Sequence, residues 1–472
     1  MNLVDLYLQR ITLDYTEMND INMKVLIGTT EICGIMAKIC REMRRRDICV
    51  DCMLLNDVVF YDEFNEIYQN EKLKKYKKIY SRLSESKKNR QKLNILLWRM
   101  IEAIELVKLF VDSIRSYDCF IFLFSRSFFS SNPLLEKLLF FEYLTYKLLN
   151  KKVIVICCGT DSRPPYCGKY EGTKSGLYRS TKRIARKIHI IDRFATVIDT
   201  TSNAFFHIKP YIRYEVVGNL VEIEEIYTRD NKKETGSVSI LHAPSASSYK
   251  GTEYICHVIE KLKDDGFDIN LKLITGMTHI EVLKNMQEAD LLVNELYSDY
   301  PMSMLDTEAA MNGLPTITCG YYADIYNGNL NTDKVPTVYC SPDELENNLR
   351  DLIIDANKRS ELSEYAIKYV KKNYVSKSVV DRLLMIISGN ISEKWYYDPS
   401  DSIYMWGAAV TKEDVKDRIE YLIDKHGIGG LYLNKNSNLI NCYKKLYKEI
   451  KHNETENQCK RKRNPNMHKV HL

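Results

Sequence analysis

At 472 residues the chain is long enough for two or three domains, and a hydrophobic content of 45% supplies full cores. The net charge of +5 is mild and lacks the concentrated basic face of a nucleic-acid binder, so that partner is excluded. Thirteen cysteines, scattered and odd in number, with no secretory pattern before them, read as reduced thiols in a cytoplasmic protein. No apolar run approaches the roughly 18 to 20 residues of a membrane span.

Residues 1–22 read as a loose extension, either a mis-assigned start or a loose helix. A strand follows over Lys24–Ile27, and a loop with Gly28 and Gly34 opens a helix to about Arg46. Gly28 is a candidate substrate-facing position; a tight strand-to-helix turn explains it equally well. No G-x-G-x-x-G is present, which counts against an ordinary dinucleotide-binding dehydrogenase. The second strand spans Ile48–Leu54; its Cys49 and Cys52 read as buried strand residues rather than zinc ligands. From about Glu66 to Ser116 the pattern is helical. Leu97, Ile101, Ile104, Val107, Phe110, Val111 and Ile114 recur at helical spacing and predict a core-facing helix. The earlier part, 72–92, is densely basic with interleaved tyrosines. It reads as a solvated face, or alternatively as a cationic surface for anionic membrane headgroups.

Asp118–Phe124 is an almost wholly apolar third strand, hence central and parallel. After it come SRSFFSSNP, a helix to Asn150, the strand KKVIVICC and the loop GTDSR. Asp161 and Arg163 thus fall at the carboxyl end of a strand, where α/β proteins place ligand-binding residues; a loop salt bridge of little energetic weight is the alternative. Ser180–Asp192 reads as a basic amphipathic helix, ATVIDT as a strand, and YEVVGNLVEI as strand-like. The charged stretch 224–234 is the best linker.

The second half is more informative. SVSILHA is a strand, and the turn-rich PSASSYKGT places Lys250 and Gly251 at the start of a helix. The strand INLKLI, Gly276, a helix over Thr278–Gln287 and the strand ADLLVN follow. YPMSMLDTEAAMNGLPTIT then carries Glu308 inside a helix that Gly313 and Pro315 end. Strands alternating with helices predict a parallel sheet covered on both faces, with ligands beyond the carboxyl ends of its strands. The helix start at Met302, Ser303 and Met304 offers N–H groups to an anion, and Lys250 adds a point charge. Glu308 is placed to accept hydrogen bonds from ribose hydroxyls. His242 and His279, at strand ends, are candidate contacts to nucleotide or sugar, although a lone histidine there is more often structural. These residues predict a nucleotide diphosphate ligand. Two regular helices follow from about Asp343, then a helical module to about 452 and a polar basic tail, 453–472, expected to be disordered. No D-x-D motif and no His/Cys/Asp cluster stands at metal-ligand spacing, and no G-x-S-x-G offers a hydrolase nucleophile.

The order KGT (Lys250, Gly251, Thr252) and then EAAMNGLPTI, with Glu308, Ala309, Gly313, Pro315 and Ile317, resembles the donor half of the family 4 retaining glycosyltransferases, of bacterial surface polysaccharide type. The resemblance implies an α/β protein of GT-B fold, two Rossmann-like domains whose parallel sheets face a cleft. The acceptor-side domain would span 23–225, the nucleotide-sugar-binding domain 226–395 and a helical extension 396–452. It implies that Lys250 contacts the donor phosphates and Glu308 the donor ribose, with Gly251, His242, Gly276, His279, Met302, Ser303 and Met304 around them. The family's first glutamate is replaced here by Tyr300, and no arginine precedes Lys250. In the first domain a weaker resemblance sets Arg126, Ser127, Asp161 and Arg163, with Gly28, on the acceptor side; Ile121 and Leu123 stand where that subgroup often has histidines. The implied activity is transfer, with retention, from a nucleotide sugar to a hydroxyl of a glycan or lipid-linked saccharide. It needs neither cofactor nor metal, and the implied place is the cytoplasm, with peripheral membrane contact through 72–92. A catalytically degenerate nucleotide-sugar-binding subunit and a membrane-surface scaffold are the alternatives.

Overall fold

Short apolar strands separated by amphipathic helices dictate a sheet buried on both faces, and the chain builds two such sheets. The structure, a computed structural model, describes residues 23–55, 73–76, 78–79, 92–202, 205–222, 236–328, 334–434 and 436–463. The extension 1–22, the linker expected at 224–234 and the last residues of the tail lie outside them. The chain divides into two compact units, 1–154 and 155–472.

The first unit contains β1 (Val25–Thr29), α1 (Ile35–Arg45), β2 (Val50–Leu54), α2 (Lys92–Ser116), β3 (Cys119–Leu123), α3 (Leu139–Leu148) and the start of β4 (Lys152–Cys157). Strand β1 pairs in parallel with β2 on one side and β3 on the other, Val25 lying opposite Val50 and Cys119. Both β1 and β3 are buried from end to end, as strands covered on two faces must be.

Three expectations are corrected here. Gly28 lies inside β1 rather than in the following loop, and a Cβ there would meet the Met53 carbonyl oxygen at 2.6 Å. Close strand packing therefore accounts for the glycine. Cys40 and Cys52 are not free thiols but are joined in a disulfide between α1 and β2, whereas Cys49 is exposed. Helix α2 is core-facing only in part. Leu106, Leu109 and Phe110 are buried, but Leu97 and Ile104 are more than half exposed.

The second unit continues β4 and adds α4 (Lys174–Phe194), β5 (Thr196–Asp199), β6 (Tyr211–Arg213) and α5 (Tyr214–Val217). The stretch expected to be strand-like from Tyr214 is thus a helical turn, entered directly from a short strand. Next come β7 (Val238–His242), α6 (Ser247–Lys250), α7 (Thr252–Asp264), β8 (Ile269–Leu273), α8 (His279–Glu288), β9 (Leu291–Val293), α9 (Met304–Met311), β10 (Thr316–Cys319) and β11 (Thr337–Cys340). After them come α10 (Leu345–Ile354), α11 (Ala356–Asn373), α12 (Ser376–Ser388), β12 (Tyr396–Tyr397), α13 (Lys412–His426) and α14 (Ser437–Arg463). Helix α14 runs past residue 453, where a disordered tail is expected.

The strand orders are β12-β6-β5-β4-β3-β1-β2 and β11-β10-β9-β7-β8, two Rossmann-like sheets, parallel except where β12 runs antiparallel to β6. In the five-stranded sheet, neighbouring residues of β7 face opposite layers, as the period of a strand requires. Ile240 packs with Ile255 and Ile259 of α7 and Leu349 of α10, while Leu241 packs with Met286 of α8 and Leu314. Helix α8 is started by a capping box in which Thr278 and Glu281 satisfy one another's backbone. Among the described residues no helix is long and apolar enough to cross a membrane.

Candidate functional site

The site grows from a reversal in strand order. From β7 the chain steps to β8 on one side, then to β9 on the other. Such a reversal leaves a crevice at the carboxyl ends of the strands, where α/β sheets take their ligands. Three loops meet there. The loop after β7 carries Lys250, the loop after β8 leads to His279, and β9 is followed by Glu295 and then by α9 with Glu308.

Lys250 is the last residue of the one-turn helix α6. Gly251 follows with φ +72°, and a Cβ on it would meet the Leu296 Cβ at 2.5 Å. Both the left-handed backbone and the close approach require glycine. Gly276 has φ +70° but open space around it. Gly251→Ala is therefore expected to destabilise more than Gly276→Ala, for which only the backbone term of about 1–2 kcal/mol applies; urea midpoints of the two variants check the order.

Two side-chain pairs occupy the crevice. Lys250 Nζ donates to Glu295 Oε2 at 2.7 Å, and His279 Nε2 lies 2.8 Å from Glu308 Oε1. Glu308 is buried and its carboxylate points back to α8, so the ribose-binding candidate is already held in place. Sequence reasoning missed Glu295, which no local pattern marks.

The start of α9 differs from the open set of N–H groups expected at Met302–Met304. Met302 is fully buried in the core, and the Ser303 N–H already donates to Asp306 Oδ2 at 2.7 Å. Asp306 also accepts from Thr318 Oγ1 at 2.7 Å and Asn294 Nδ2 at 2.8 Å. Burial pushes the Asp306 carboxyl up to about 6, against the hydrogen bonds to Thr318 and Ser303, and the neighbouring Glu295 charge adds to the rise. Met304, half-buried, begins the helix.

His242 is not a ligand contact in this arrangement. It is fully buried, with Nδ1 2.8 Å from the Val293 carbonyl and Nε2 2.9 Å from Thr252 Oγ1, so it ties β7 to β9 and to the first turn of α7. Burial lowers its pKa below the usual histidine value, which favours the neutral ring.

Arg163 forms a buried bidentate pair with Asp299, Nε to Oδ2 at 3.0 Å and Nη2 to Oδ1 at 2.6 Å. It joins the loop after β4 to the loop after β9 within the second unit. This is neither an open acceptor contact nor an exposed loop salt bridge. Asp161 supports the same loop by accepting from Cys158 N–H at 3.0 Å. Tyr300 lies with Tyr214 at a ring separation of 6.2 Å and borders a water-sized cavity of about 20 Å³ that Asp199, Arg213 and Tyr322 also line.

In the first unit, the strand order reverses between β2 and β3 around β1. There the Thr29 hydroxyl donates to the Arg126 carbonyl at 3.1 Å, and the Arg126 guanidinium sits 5.7 Å from the centre of the Phe124 ring. Ser127 is buried and its hydroxyl donates to Glu142 Oε2 at 2.9 Å. It therefore braces the loop.

Comparison with protein-family models and with curated proteins gave no match. Solved structures of similar course include HepE of Anabaena in complex with UDP-glucose, 13% identical, covering 78% of this chain and 100% of that one with a TM-score of 0.46. Sucrose-phosphate synthase from Thermosynechococcus elongatus is 11% identical over 78% of this chain and 98% of that one, with a TM-score of 0.49. A glycosyltransferase from Rickettsia africae is 11% identical over 79% and 100%, with a TM-score of 0.48. At these identities the reading of the site rests on the chain's own residues.

Proposed function

We propose that the chain is a retaining, metal-independent glycosyltransferase of the family 4 type, moving a sugar from a nucleotide sugar to a hydroxyl of a glycan or lipid-linked saccharide. The observation that carries this reading is the meeting of Lys250, Glu295, His279 and Glu308 at the reversal point of the five-stranded sheet. A cation and a held carboxylate in that crevice suit a diphosphate and a ribose.

In the reaction, the Lys250 ammonium shifts from Glu295 to the donor phosphates and stabilises charge on the departing diphosphate. Glu308, held by His279, accepts hydrogen bonds from the ribose hydroxyls. The C–O bond between the sugar and the diphosphate breaks as the acceptor oxygen forms its bond on the same face. The leaving phosphate takes the acceptor's proton, so no protein nucleophile is required. A second reading, a nucleotide-sugar-binding subunit without turnover, is favoured by one observation: Tyr300 replaces a carboxylate of the family.

The test is release of nucleoside diphosphate from a panel of nucleotide sugars, with and without candidate saccharide acceptors. Slow hydrolysis of one donor, accelerated by an acceptor, is the expected result. Binding without turnover would favour the second reading, and no binding of any donor would overturn both.

A further inference from the structure

Helices α2 and α3 lie side by side in the first unit. Asn132, in the loop before α3, donates through Nδ2 to the Arg99 carbonyl of α2 at 3.1 Å and to Glu102 Oε2 at 2.6 Å, and Phe110 of α2 meets the Tyr146 ring of α3 edge-on at 5.5 Å. Their inner sides are satisfied, with Leu106, Leu109, Phe110, Tyr143 and Tyr146 buried. Their outer sides are apolar as well. On α2, Leu97, Met100, Ile104 and Val107 recur at intervals of three and four, so they lie along one side. They are exposed at 57%, 50%, 55% and 38%. On α3 the pattern repeats with Leu138, immediately before the helix, Phe141 and Leu148, exposed at 45%, 58% and 74%. Leu96 and Leu149 adjoin the two rows and are exposed too. Outer faces of helices in water-soluble domains are ordinarily polar.

Three properties of this face identify what covers it. The first is area. Nine large apolar residues, each about half exposed, present on the order of 900 Å², close to the roughly 800 Å² that each partner of a standard protein interface buries. The largest apolar patch of an ordinary monomer is only about 300–600 Å². The second is charge. The charged residues between Leu96 and Val107 are Arg99, Glu102 and Glu105. Glu102 is buried against Asn132, Arg99 is half-buried, and Glu105 is half-buried and accepts from Lys108 Nζ at 2.6 Å. Such depletion of free charge marks the core of a protein interface. The third is self-complementarity. A face without free charge asks for no opposite charge across from it, so a second copy of the same face fits it. Pairing of one patch with itself is the two-fold arrangement in which most oligomers close.

We propose that the outer faces of α2 and α3 pair with those of a second copy of the chain, making an isologous dimer through the first unit. The pairing is independent of donor chemistry and is measured without nucleotide, so it stands or falls apart from the proposed transferase activity.

The experiment is sedimentation velocity of the full chain at rising micromolar concentration, at low and high salt. Wild type is expected to sediment as a dimer at both, because screening weakens charge contacts and leaves apolar ones intact. Leu97→Ser combined with Ile104→Ser is expected to weaken the dimer about a hundredfold, since four apolar side chains, two from each copy, lose their burial. Leu148→Glu is expected to weaken it about tenfold. All three side chains are exposed in the single chain, so unchanged circular dichroism is expected to show that the variants fold. Wild type sedimenting as a monomer throughout would overturn the proposal, as would a dimer that persists in both variants or one that high salt dissolves. A wild-type monomer that pellets with phosphatidylglycerol vesicles would also overturn it, since a bilayer would then cover the face.

Discussion

Lys250→Ala is expected to lower turnover of the nucleotide-sugar donor by about 10²–10³-fold, the usual effect of removing one preorganised group from developing negative charge. Two effects act in the same direction. On the proposed reading the ammonium that would stabilise the departing diphosphate is lost, and Glu295, 2.7 Å from it, would be left facing the phosphates with its charge unbalanced. A double-mutant cycle separates them. In Lys250→Ala/Glu295→Gln the repulsion is gone and only the lost cation remains, so the double variant should recover part of the activity. Glu295→Gln alone should bind donor more tightly than wild type, because Lys250 no longer has to leave a charged partner. If Lys250→Ala turned over donor at the wild-type rate, the placement of the phosphates beside Lys250 would be wrong. If Glu295→Gln instead abolished binding, Glu295 would be a donor contact rather than a competitor. Glu308→Ala probes the other end of the donor. Its loss should appear mainly as weaker nucleotide binding, since the ribose is distant from the bond that breaks.

The parts of this arrangement that were legible in the sequence are those carried by local chemistry. The strand SVSILHA, the helix opening at Thr278 and the turn that brings Lys250 and Gly251 to a helix start are of this kind. The pairings were not legible, because they join residues far apart in the chain. Arg163 meets Asp299 across 136 positions, and Lys250 meets Glu295 across 45. Helical spacing in α2 correctly indicates a helix, but it reports only that one side is apolar and not what lies against it; hence Leu97 and Ile104 read as core and are exposed. The start of α9 holds a further pairing that the sequence analysis did not include. A helix N-terminus has unsatisfied N–H groups in general, yet Asp306 three residues on reaches back to Ser303.

His207→Ala is expected to destabilise the second unit by about 3–5 kcal/mol, the range for breaking a buried ion pair by removing one partner. His207 is fully buried between two carboxylates, with Nδ1 2.7 Å from Asp192 Oδ1 at the end of α4 and Nε2 3.0 Å from Asp199 Oδ2 at the end of β5. Burial alone would lower its pKa, but Asp192 and Asp199 outweigh that and hold the ring up to about 10. The carboxylates are otherwise well served: Asp192 accepts from Ile208 N–H at 2.7 Å, and Asp199 from Thr201 N–H at 2.7 Å. The alanine variant keeps those donors but strands the two charges. A folded value raised above the ordinary histidine value of about 6.5 gives a contribution that is complete below pH 6.5 and is lost as pH rises towards 10. Urea unfolding followed from pH 6 to pH 10 should therefore show wild type losing its advantage over His207→Gln as the pH rises. A constant difference between the two across that window would mean that the buried ring is neutral and that its value lies in packing against Tyr211, whose ring centre is 4.5 Å away.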